Sequence, residues 1–390
     1  MTKKGIDMGA STKPTGGALP ALTSIRFIAA MTVVLSHFAE LGLLPMNRAF
    51  FDFVDGGRPA VSLFFVLSGF ILTYTYREPL ASSGPRAFYI ARFARIYPVV
   101  LFGLALVAPV TAWLLYTGDA ARLLQWFALK SSVQLSLVLS LLCQLLLLNA
   151  WFPFAAINQP WNGPSDSVSC EAFFYALFPW LLRKLDGQGM QRIVLACAGI
   201  WIAQGVGTVL IQSTMPVSRS GFLVVALPLL RIAEFVLGVG AALVFLSLRE
   251  RRAGRHALGL TSVCVALAAL IVLAAWHPFS PVFYVEAPFF ALLILGLALL
   301  ERPVLGLLNA RVLVRLGEAS YSLYLIHVPI AYIALLAGFD RANGWMVLAF
   351  AIWASVAVFR FYEEPMRRAI RTRLTGASAP DFTPLREARE

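Results

Sequence analysis

Charged residues are scarce in this sequence. Asp, Glu, Lys and Arg make up only 13% of its 390 residues, whereas 59% are hydrophobic and the mean hydropathy is +0.77. Soluble domains carry roughly 25% charged residues, so this composition excludes an ordinary soluble globule. Because a spanning helix needs about 20 apolar residues, about ten spans would use about half of the chain and leave no room for a large soluble domain.

Several familiar chemical motifs are missing. The four cysteines are widely scattered, with no CxxC pair and no histidine at metal-ligand spacing, so neither a disulfide framework nor a metal site is predicted. There is no GxxxxGK[ST] loop and no HExxH, and the segment from Gly163 to Ser167 misses the last position of GxSxG. ATP-driven transport, zinc hydrolysis and α/β-hydrolase catalysis therefore lose their usual support, and we expect no permanently bound cofactor.

Eleven apolar runs are long enough, or nearly long enough, to cross a membrane. They cover residues 22–44, 59–76, 96–117, 133–151, 168–182, 193–212, 222–248, 258–276, 282–300, 316–338 and 345–362. The formal net charge of +12 could indicate a nucleic-acid partner, but the basic residues stand at the ends of these runs. We therefore expect a lipid bilayer, and no nucleic acid, as their partner.

The distribution of Lys and Arg predicts the orientation. With the N-terminus inside, the segments on the cytoplasmic side carry 23 of the 32 Lys and Arg residues, and the opposite segments carry 6. Positively charged loops are retained in the cytoplasm. This bias requires that the run 133–151 does not cross as a full span, so we interpret it as re-entrant, interfacial or packed at an angle. The predicted fold is an all-α polytopic membrane bundle of about ten transmembrane helices with both termini cytoplasmic.

This pattern divides the chain into three regions. Residues 1–20 form a cytoplasmic tail and residues 21–368 the transmembrane domain. Residues 369–390 form a cytoplasmic tail whose Gly, Ala, Ser and Pro and mixed charge indicate disorder. The first apolar run contains Arg26 and His37 and lacks a clear cleavage site, so we interpret it as a retained span and not as a signal peptide.

Two histidines lie deep in the predicted spans. Insertion of an ionised side chain at the bilayer centre costs about 2.5 to 3.5 kcal/mol of free energy, so we expect each such residue to have a structural or functional role. His37 lies about 16 Å along the helix from Arg26, and His327 lies about 16 Å from the cytoplasmic start of its own run. The two imidazoles can therefore share one layer, where either could act as a general base. Alternatively, each histidine has only a structural role and forms a hydrogen bond to a neighbouring helix.

Arginines stand at helical spacing in two places. Arg231 and Glu234 are three residues apart and are expected to neutralise each other. Arg92 and Arg95 precede the run 96–117 and are also three apart, so on a continuous helix they share a face and could grip a phosphate-bearing ligand. Anchoring of the cytoplasmic helix end by positive charge would account for either residue of this second pair equally well.

Six segments together carry a resemblance to a known family. In chain order they read LTSIRFIAAMTVVLSHF, SLFFVLSGFIL, FYIARFARIYP, SVSCEAFFYALFP, LGEASYSLYLIH and FYEEP. The sequence thereby resembles membrane acyltransferase family 3, the bacterial group that acylates surface and exopolysaccharide sugars. The resemblance implies a multi-pass protein of the bacterial cytoplasmic (inner) membrane. Its implied partners are cytoplasmic acyl-CoA, usually acetyl-CoA, as donor substrate and a polysaccharide or lipid-linked sugar as acceptor on the periplasmic side.

The resemblance also implies catalytic roles. His37 would be the base that deprotonates the acceptor hydroxyl, or would receive the acyl group as a relay. Arg26 would orient His37 or the thioester, and His327 completes the predicted catalytic set. Glu171, near the outer end of its predicted span, would orient the sugar or the base, although a carboxylate favoured by a helix N-terminus would look the same.

A donor site is implied on the cytoplasmic side. Arg92 and Arg95 would hold the phosphates of CoA there. Ser68 and Gly69 are included as candidate donor contacts, although the Ser-Gly-Phe sequence is more typical of close helix packing and backbone access.

One position departs from the family's pattern. Asp166 stands where similar proteins usually have Trp. A carboxylate cannot stack on a sugar as an indole does, so the acceptor pocket is expected to differ there unless Trp161 compensates.

Two other functions stay open. A transporter or flippase for a glycan or lipid-linked sugar would suit buried His, Glu and Arg residues equally well. It does not explain the arginine pair or the ordered motifs, and no repeated half is visible. A non-catalytic polysaccharide-assembly subunit would leave the two deep histidines unexplained. The acceptor sugar, the choice of acyl group and the oligomeric state are open at this point.

The predicted topology can be tested by labelling of single cysteines from the outer face of the membrane. The reagent should modify a cysteine at Ser218→Cys and should not modify one at Arg255→Cys, because the charge bias places these positions on opposite sides. Modification of Arg255→Cys in intact cells would contradict the arrangement.

Overall fold

The chain folds as a bundle of α-helices. The computed structural model describes residues 19–45, 57–249, 254–276, 282–300 and 302–375, and within these ranges it contains no strand. The predicted tails lie largely outside the described residues, as does the side chain of Ser218. In chain order the α-helices of the described residues are α1 (Pro20–Glu40), α2 (Arg58–Ser83), α3 (Arg86–Thr117), α4 (Ala120–Phe127), α5 (Val133–Leu145), α6 (Ala155–Asn158), α7 (Ser165–Leu185), α8 (Met190–Thr214), α9 (Val217–Ala226), α10 (Ile232–Leu248), α11 (Arg255–Trp276), α12 (Val282–Leu299), α13 (Arg311–Glu318), α14 (Ser320–Leu336), α15 (Gly344–Val358) and α16 (Glu364–Thr375).

Several helix boundaries follow directly from the sequence. α1 begins at Pro20, whose fixed φ and missing N–H suit the first turn of a helix. α3 runs for 32 residues and is closed by Gly118, which has a φ of +64°. The π-helical segment Phe359–Glu363 joins α15 to α16 in one continuous helix. Helical structure therefore continues to Thr375, beyond the predicted start of the C-terminal tail at residue 369.

Six helices of the described ranges are long and apolar enough to cross a bilayer. They are α1, α2, α3, α8, α11 and the continuous helix formed by α15 and α16. The pair of α13 and α14, bent by 63°, makes a seventh candidate. The three other predicted spans correspond to α7, α10 and α12, which have 21, 17 and 18 residues and are shorter or more polar. The chain is therefore a multi-pass membrane protein, as its composition predicted.

Three predicted spans differ in detail from the observed helices. The run 222–248 is broken at a short 3₁₀ turn, Pro228–Leu230, between α9 and α10. The run 316–338 contains the bend between α13 and α14. The run 133–151 contains α5, whose 13 residues extend only about 20 Å. This short helix agrees with the prediction that the run does not cross as a full span.

The most extensive helix packing of the described residues depends on two glycines. α2 and α10 make the most extensive contact between helices in the described part of the chain. A Cβ atom on Gly69 would clash with the carbonyl oxygen of Phe235, and a Cβ atom on Gly238 would clash with the carbonyl oxygen of Val66. Small residues let the two backbones approach, as is common in membrane bundles. The Ser-Gly-Phe sequence is thus a packing site at Gly69.

The helices divide into inner and outer ones. α1 contacts α2, α12, α13 and α14, and α3 contacts both α14 and α16. α8 and α11 instead carry many exposed apolar side chains, which are suited to lipid. Examples are Val194, Leu195, Ile202, Val206, Val209, Leu258, Val265, Ile271 and Val272. The inner helices α1, α2, α3, α7 and α14, together with one face of α16, surround the candidate site.

The packing argument predicts that Gly69→Ala lowers the thermal stability of the detergent-solubilised protein. Overpacking against an adjacent backbone costs roughly 1 to 3 kcal/mol. Gly199→Ala is the matched control, since Gly199 also lies within a helix but has no atom within 4 Å of an added Cβ. Alanine there should be neutral or slightly stabilising. Equal melting temperatures for the two variants would contradict the close contact between α2 and α10.

Candidate active site

The two deep histidines lie side by side. Nδ1 of His37 and Nε2 of His327 are 2.8 Å apart, and the two rings stack with centroids 5.1 Å apart and an interplanar angle of 2°. His327 is fully buried, whereas His37 is partly exposed. The matched depths expected from the sequence are therefore observed, and the pair forms one unit between α1 and α14.

The hydrogen bonds of this pair fix the positions of the protons. Nδ1 of His327 lies 3.1 Å from the carbonyl oxygen of Leu323, which can only accept, so Nδ1–H of His327 donates to it. In the neutral imidazole Nε2 of His327 is then an acceptor, and Nδ1–H of His37 donates to it. Nε2 of His37 consequently carries a lone pair, and no described residue hydrogen-bonds it. This is the tautomer that a general base needs.

Two cavities lie among the inner helices. The first, which we call the central cavity, is the smaller of the two. It is lined by Arg26, Val61, Phe64, Phe65, Ser167, Val168, Glu171, Ser320, Tyr321 and Tyr324. The second, which we call the basic cavity, is larger. It is lined by Thr23, Arg26, Ile71, Leu72, Thr75, Tyr76, Ala91, Arg92, Arg95, Glu318, Phe359, Arg367 and Arg371.

Arg26 lines both cavities. Among the described residues its guanidinium makes no hydrogen bond and no ion pair, and the nearest charged groups that act on it are Arg95, Glu171 and Glu363. A cation without a direct partner is costly within an apolar bundle. Its place between the two cavities gives it access to a ligand from either side.

Arg92 and Arg95 both line the basic cavity, so the helical spacing brings them to one face. Their partners differ. Arg92 donates from Nη2 to the hydroxyl of Tyr76 at 2.8 Å, and its buried Nε has no hydrogen-bond partner among the described residues. Arg95 forms an ion pair with Glu363, whose other carboxylate oxygen accepts a hydrogen bond of 2.6 Å from Oγ of Ser322. The charge of Arg95 is thereby compensated within the protein.

Glu171 lies in the first third of α7, within the bundle. It lines the central cavity together with Arg26 and lies within electrostatic range of Arg92 and Arg95, beyond ion-pair distance. The position of Glu171 follows from the segment before α7, which folds into the bundle. Nδ2 of Asn162, buried in this segment, donates to the carbonyl oxygen of Leu325 at 2.9 Å. The N-terminus of α7 is therefore drawn inward, and Glu171 with it.

The two remaining candidate donor contacts line neither cavity. Gly69 faces the backbone of α10, as described above. Oγ of Ser68 lies 3.3 Å from the hydroxyl of Tyr175, which is itself within cation–π range of Arg92. Ser68 thus adjoins the donor site through a second side chain, and Gly69 belongs to the helix packing.

Tyr324 links the central cavity to the histidines. It lines the cavity, and its ring centroid is 6.0 Å from that of His327. Oγ of Ser167 donates a hydrogen bond of 2.9 Å to the hydroxyl oxygen of Tyr324, and it also lies 3.0 Å from the carbonyl oxygen of Pro164. Neither His37 nor His327 lines either of these two cavities, and Tyr324 connects the central cavity to His327.

The position that departs from the family's pattern lies at the start of α7. Oδ1 of Asp166 accepts a hydrogen bond of 2.5 Å from the backbone N–H of Ser167, which suits a carboxylate in the first turn of a helix. Nε1 of Trp161 donates to the carbonyl oxygen of Leu137 in α5 at 3.0 Å. Trp161 lines neither cavity, so its indole does not take the place of the missing Trp there.

A second buried ion pair has the structural role that the sequence predicted. Nε of Arg231 lies 2.9 Å and 3.0 Å from the two carboxylate oxygens of Glu234. Nη2 of Arg231 donates to Oγ of Ser62, and its guanidinium lies over the rings of Phe65 and Phe283. This arginine is therefore fully satisfied and carries no free charge to the site.

Sequence reasoning missed three residues of the site. Glu363, fully buried, and Tyr321, whose ring lies 4.9 Å from the guanidinium of Arg95, complete the wall around that arginine. From the sequence, Arg367 is only one of the positive charges of the predicted cytoplasmic segment 363–390. Helical periodicity across FYEEPMRR would have separated the inward Glu363 and Arg367, four residues apart, from the outward Glu364 and Arg368.

Comparison with known proteins gives a consistent result. A family model described as an acyltransferase domain (acyltransferase 3) matches residues 19–359. Acyltransferase MdmB from Streptomyces mycarofaciens is 31% identical over 93% of this chain and 95% of its own length. Nodulation protein 10 from Rhizobium leguminosarum bv. viciae is 26% identical over 50% of this chain and 53% of its own length. No solved structure matches the chain.

The buried pair of Arg95 and Glu363 predicts a large loss of stability in Arg95→Ala. Removal of one partner leaves an uncompensated buried charge, which costs about 3 to 5 kcal/mol. Arg368→Ala is the control, because it breaks the exposed ion pair with Glu364 on the same helix and should cost at most about 1 kcal/mol. Thermal unfolding in detergent measures both losses.

The double variant Arg95→Met with Glu363→Gln should recover much of the stability lost in Arg95→Ala, since it removes both charges. If Arg95→Ala and Arg368→Ala unfold at the same temperature, Arg95 is not a structural ion-pair partner.

Proposed function

The chain belongs to the acyltransferase 3 family of membrane acyltransferases, and on that premise we propose that it is an O-acyltransferase. The donor is cytoplasmic acyl-CoA, with acetyl as the expected acyl group. The acceptor is a hydroxyl of a cell-surface or exopolysaccharide sugar on the periplasmic side. The observation that carries this proposal is the position of Arg26, an unpartnered cation that lines both the basic cavity and the central cavity.

The basic cavity suits the phosphate-bearing end of CoA. Five arginines line it against one carboxylate, that of Glu318. Guanidinium groups bind phosphate oxygens through charge-assisted, often bidentate hydrogen bonds. The cavity arginines other than Arg26 belong to segments that the charge bias predicts to be cytoplasmic, the side on which CoA is made. In this assignment Arg92 contacts phosphate directly, and Arg95 shapes the wall while its charge is held by Glu363.

The central cavity suits the reacting groups. Arg26 would polarise the thioester carbonyl as negative charge develops on its oxygen. Glu171, on the same cavity, would orient Arg26 or the acceptor sugar. Tyr324 and the largely apolar remainder of the lining would exclude water, which favours transfer over hydrolysis.

The proposed chemical step uses Nε2 of His37 as the base. It accepts the proton of the acceptor hydroxyl as the hydroxyl oxygen attacks the carbonyl carbon of the thioester. The carbon–sulfur bond breaks, and the departing thiolate of CoA takes the proton from the imidazolium. His327 holds His37 in the tautomer that this step requires. In the relay alternative Nε2 itself attacks the carbonyl carbon of the thioester, the carbon–sulfur bond breaks and the CoA thiolate leaves. The sugar hydroxyl then attacks the acylated imidazole, the bond between Nε2 and the acyl carbon breaks, and the hydroxyl proton passes to the CoA thiolate.

A carrier for a glycan or lipid-linked sugar is the competing function. It would use the same buried polar groups, but it has no need for five arginines around one cavity. Exchange of radiolabel between acetyl-CoA and CoA, or slow hydrolysis of acetyl-CoA by the purified protein, separates the two functions. A protein that neither binds nor turns over acyl-CoA would be a carrier.

We predict that His37→Ala abolishes acyl transfer while the protein still folds. A positioned base contributes typically 10² to 10⁴ in rate, so the product should fall below detection at normal membrane levels. His327→Ala should also lose activity, since His37 can then adopt the other tautomer. Turnover of radiolabelled acetyl-CoA, with cell-surface polysaccharide as acceptor, measures both effects.

The control for this experiment is His256→Ala. His256 is exposed on α11, distant in the chain from both cavity linings, and its loss should leave turnover unchanged. If His37→Ala keeps half of the wild-type rate, the buried pair is structural and the base must be sought elsewhere.

A further inference from the structure

The C-terminal basic segment contributes to the basic cavity. α16 continues the last span without a break, and two of its arginines, Arg367 and Arg371, line the cavity. They are four residues apart, so they share one face of the helix. Arg368 and Arg373 of the same helix line neither cavity, and Arg368 pairs with Glu364 at the surface. Only one face of this segment is turned toward the cavity.

The charges around this cavity do not balance. Arg95 is compensated by Glu363. Arg367 makes no ion pair with a described residue, and its buried Nε has no hydrogen-bond partner, as is also true of Nε of Arg92. Two buried guanidinium N–H groups on one cavity therefore lack acceptors. An unpaired buried polar group raises the free energy of the folded protein. An anionic ligand would supply the missing acceptors, and the free energy gained in this way would favour its binding.

We propose that Arg367 and Arg371 bind phosphate groups of the acyl-CoA donor, so that the last helix is part of the donor site and not only a membrane anchor. This inference rests on the proposed function. CoA carries a diphosphate and a 3′-phosphate, which together need more cationic groups than Arg92 and Arg26 supply. The face of α16 provides the additional ones.

The position of each arginine along α16 assigns the phosphates. Arg367 lies within electrostatic range of Arg92, Arg95 and Glu363, in the first turn of the helix. Arg371 lies one turn further toward Thr375, about 6 Å along the axis. With the thioester beside Arg26, the diphosphate meets Arg367 and the more distant 3′-phosphate meets Arg371.

The test is the affinity of the full chain for two donors, measured by calorimetry in nanodiscs of neutral phosphatidylcholine. The donors are CoA and 3′-dephospho-CoA, and the variants are Arg367→Gln and Arg371→Gln. A charge-assisted hydrogen bond to phosphate corresponds to roughly ten- to hundred-fold in affinity. Arg367→Gln should lose this factor for both donors. Arg371→Gln should lose it for CoA and bind 3′-dephospho-CoA as the wild type does.

Two controls accompany these variants. Arg368→Gln and Arg373→Gln remove the same charge from the other faces of the same helix and should bind both donors with wild-type affinity. Arg367→Lys keeps the charge without the planar fork and should bind with intermediate affinity, which separates loss of a phosphate contact from loss of the fold. If all four Gln variants lose affinity for CoA equally, the affinity depends only on the overall positive charge of the helix, and the proposal is wrong.

The phosphate of a lipid headgroup could bind the same two arginines. A second set of affinity measurements distinguishes it from the phosphates of CoA. The variants are measured again in nanodiscs that contain phosphatidylglycerol. If Arg367→Gln and Arg371→Gln bind CoA normally but lose the response to anionic lipid, the two arginines are lipid contacts and the proposal is wrong. If the wild type binds no CoA at all, the proposed function itself fails. If the wild type binds CoA and neither substitution weakens that binding, only the proposed role of α16 is wrong.

Discussion

A guanidinium group among apolar helices is costly unless a carboxylate or a ligand compensates its charge. This constraint divides the deep arginines of the described chain into two classes. Arg231 and Arg95 have buried carboxylate partners, and they bond to other helices through Ser62 and Glu363, respectively. Arg26, Arg92 and Arg367 have no carboxylate within ion-pair distance, and all three line the basic cavity. The place where an anionic ligand would bind is therefore the place where these cations have no carboxylate partner among the described residues.

The geometry around these groups depends on backbone contacts made at close range. Gly69 lets α2 lie directly against α10, which keeps the bundle narrow. The amide of Asn162 binds the carbonyl of Leu325 and draws the start of α7 inward, beside α14. A second carbonyl of α14, that of Leu323, accepts the proton of His327 and so determines which nitrogen of His37 is basic. α14 thus orients both the cavity wall and the histidine pair.

Much of this arrangement could be predicted from the sequence, because apolar runs, helical spacing and depth are local properties. They located the spans, paired Arg231 with its carboxylate, and put His37 and His327 in one layer. The partner of Arg95 could not be found in this way, because Glu363 is brought to it by the packing of α16 against α3. The place of Glu171 on the central cavity could not be found in this way either, since it depends on how the preceding loop folds back into the bundle.

The central inference is that one ligand connects the basic cavity to the central cavity past Arg26. A cryo-EM structure of the full chain with a non-hydrolysable thioether analogue of acetyl-CoA tests it most directly. The phosphates should lie among Arg92, Arg367 and Arg371, with the thioether sulfur beside Arg26 and the acyl group in the central cavity. Analogue bound at any other place, with both cavities filled only by water or lipid, would contradict the proposed route of the acyl group.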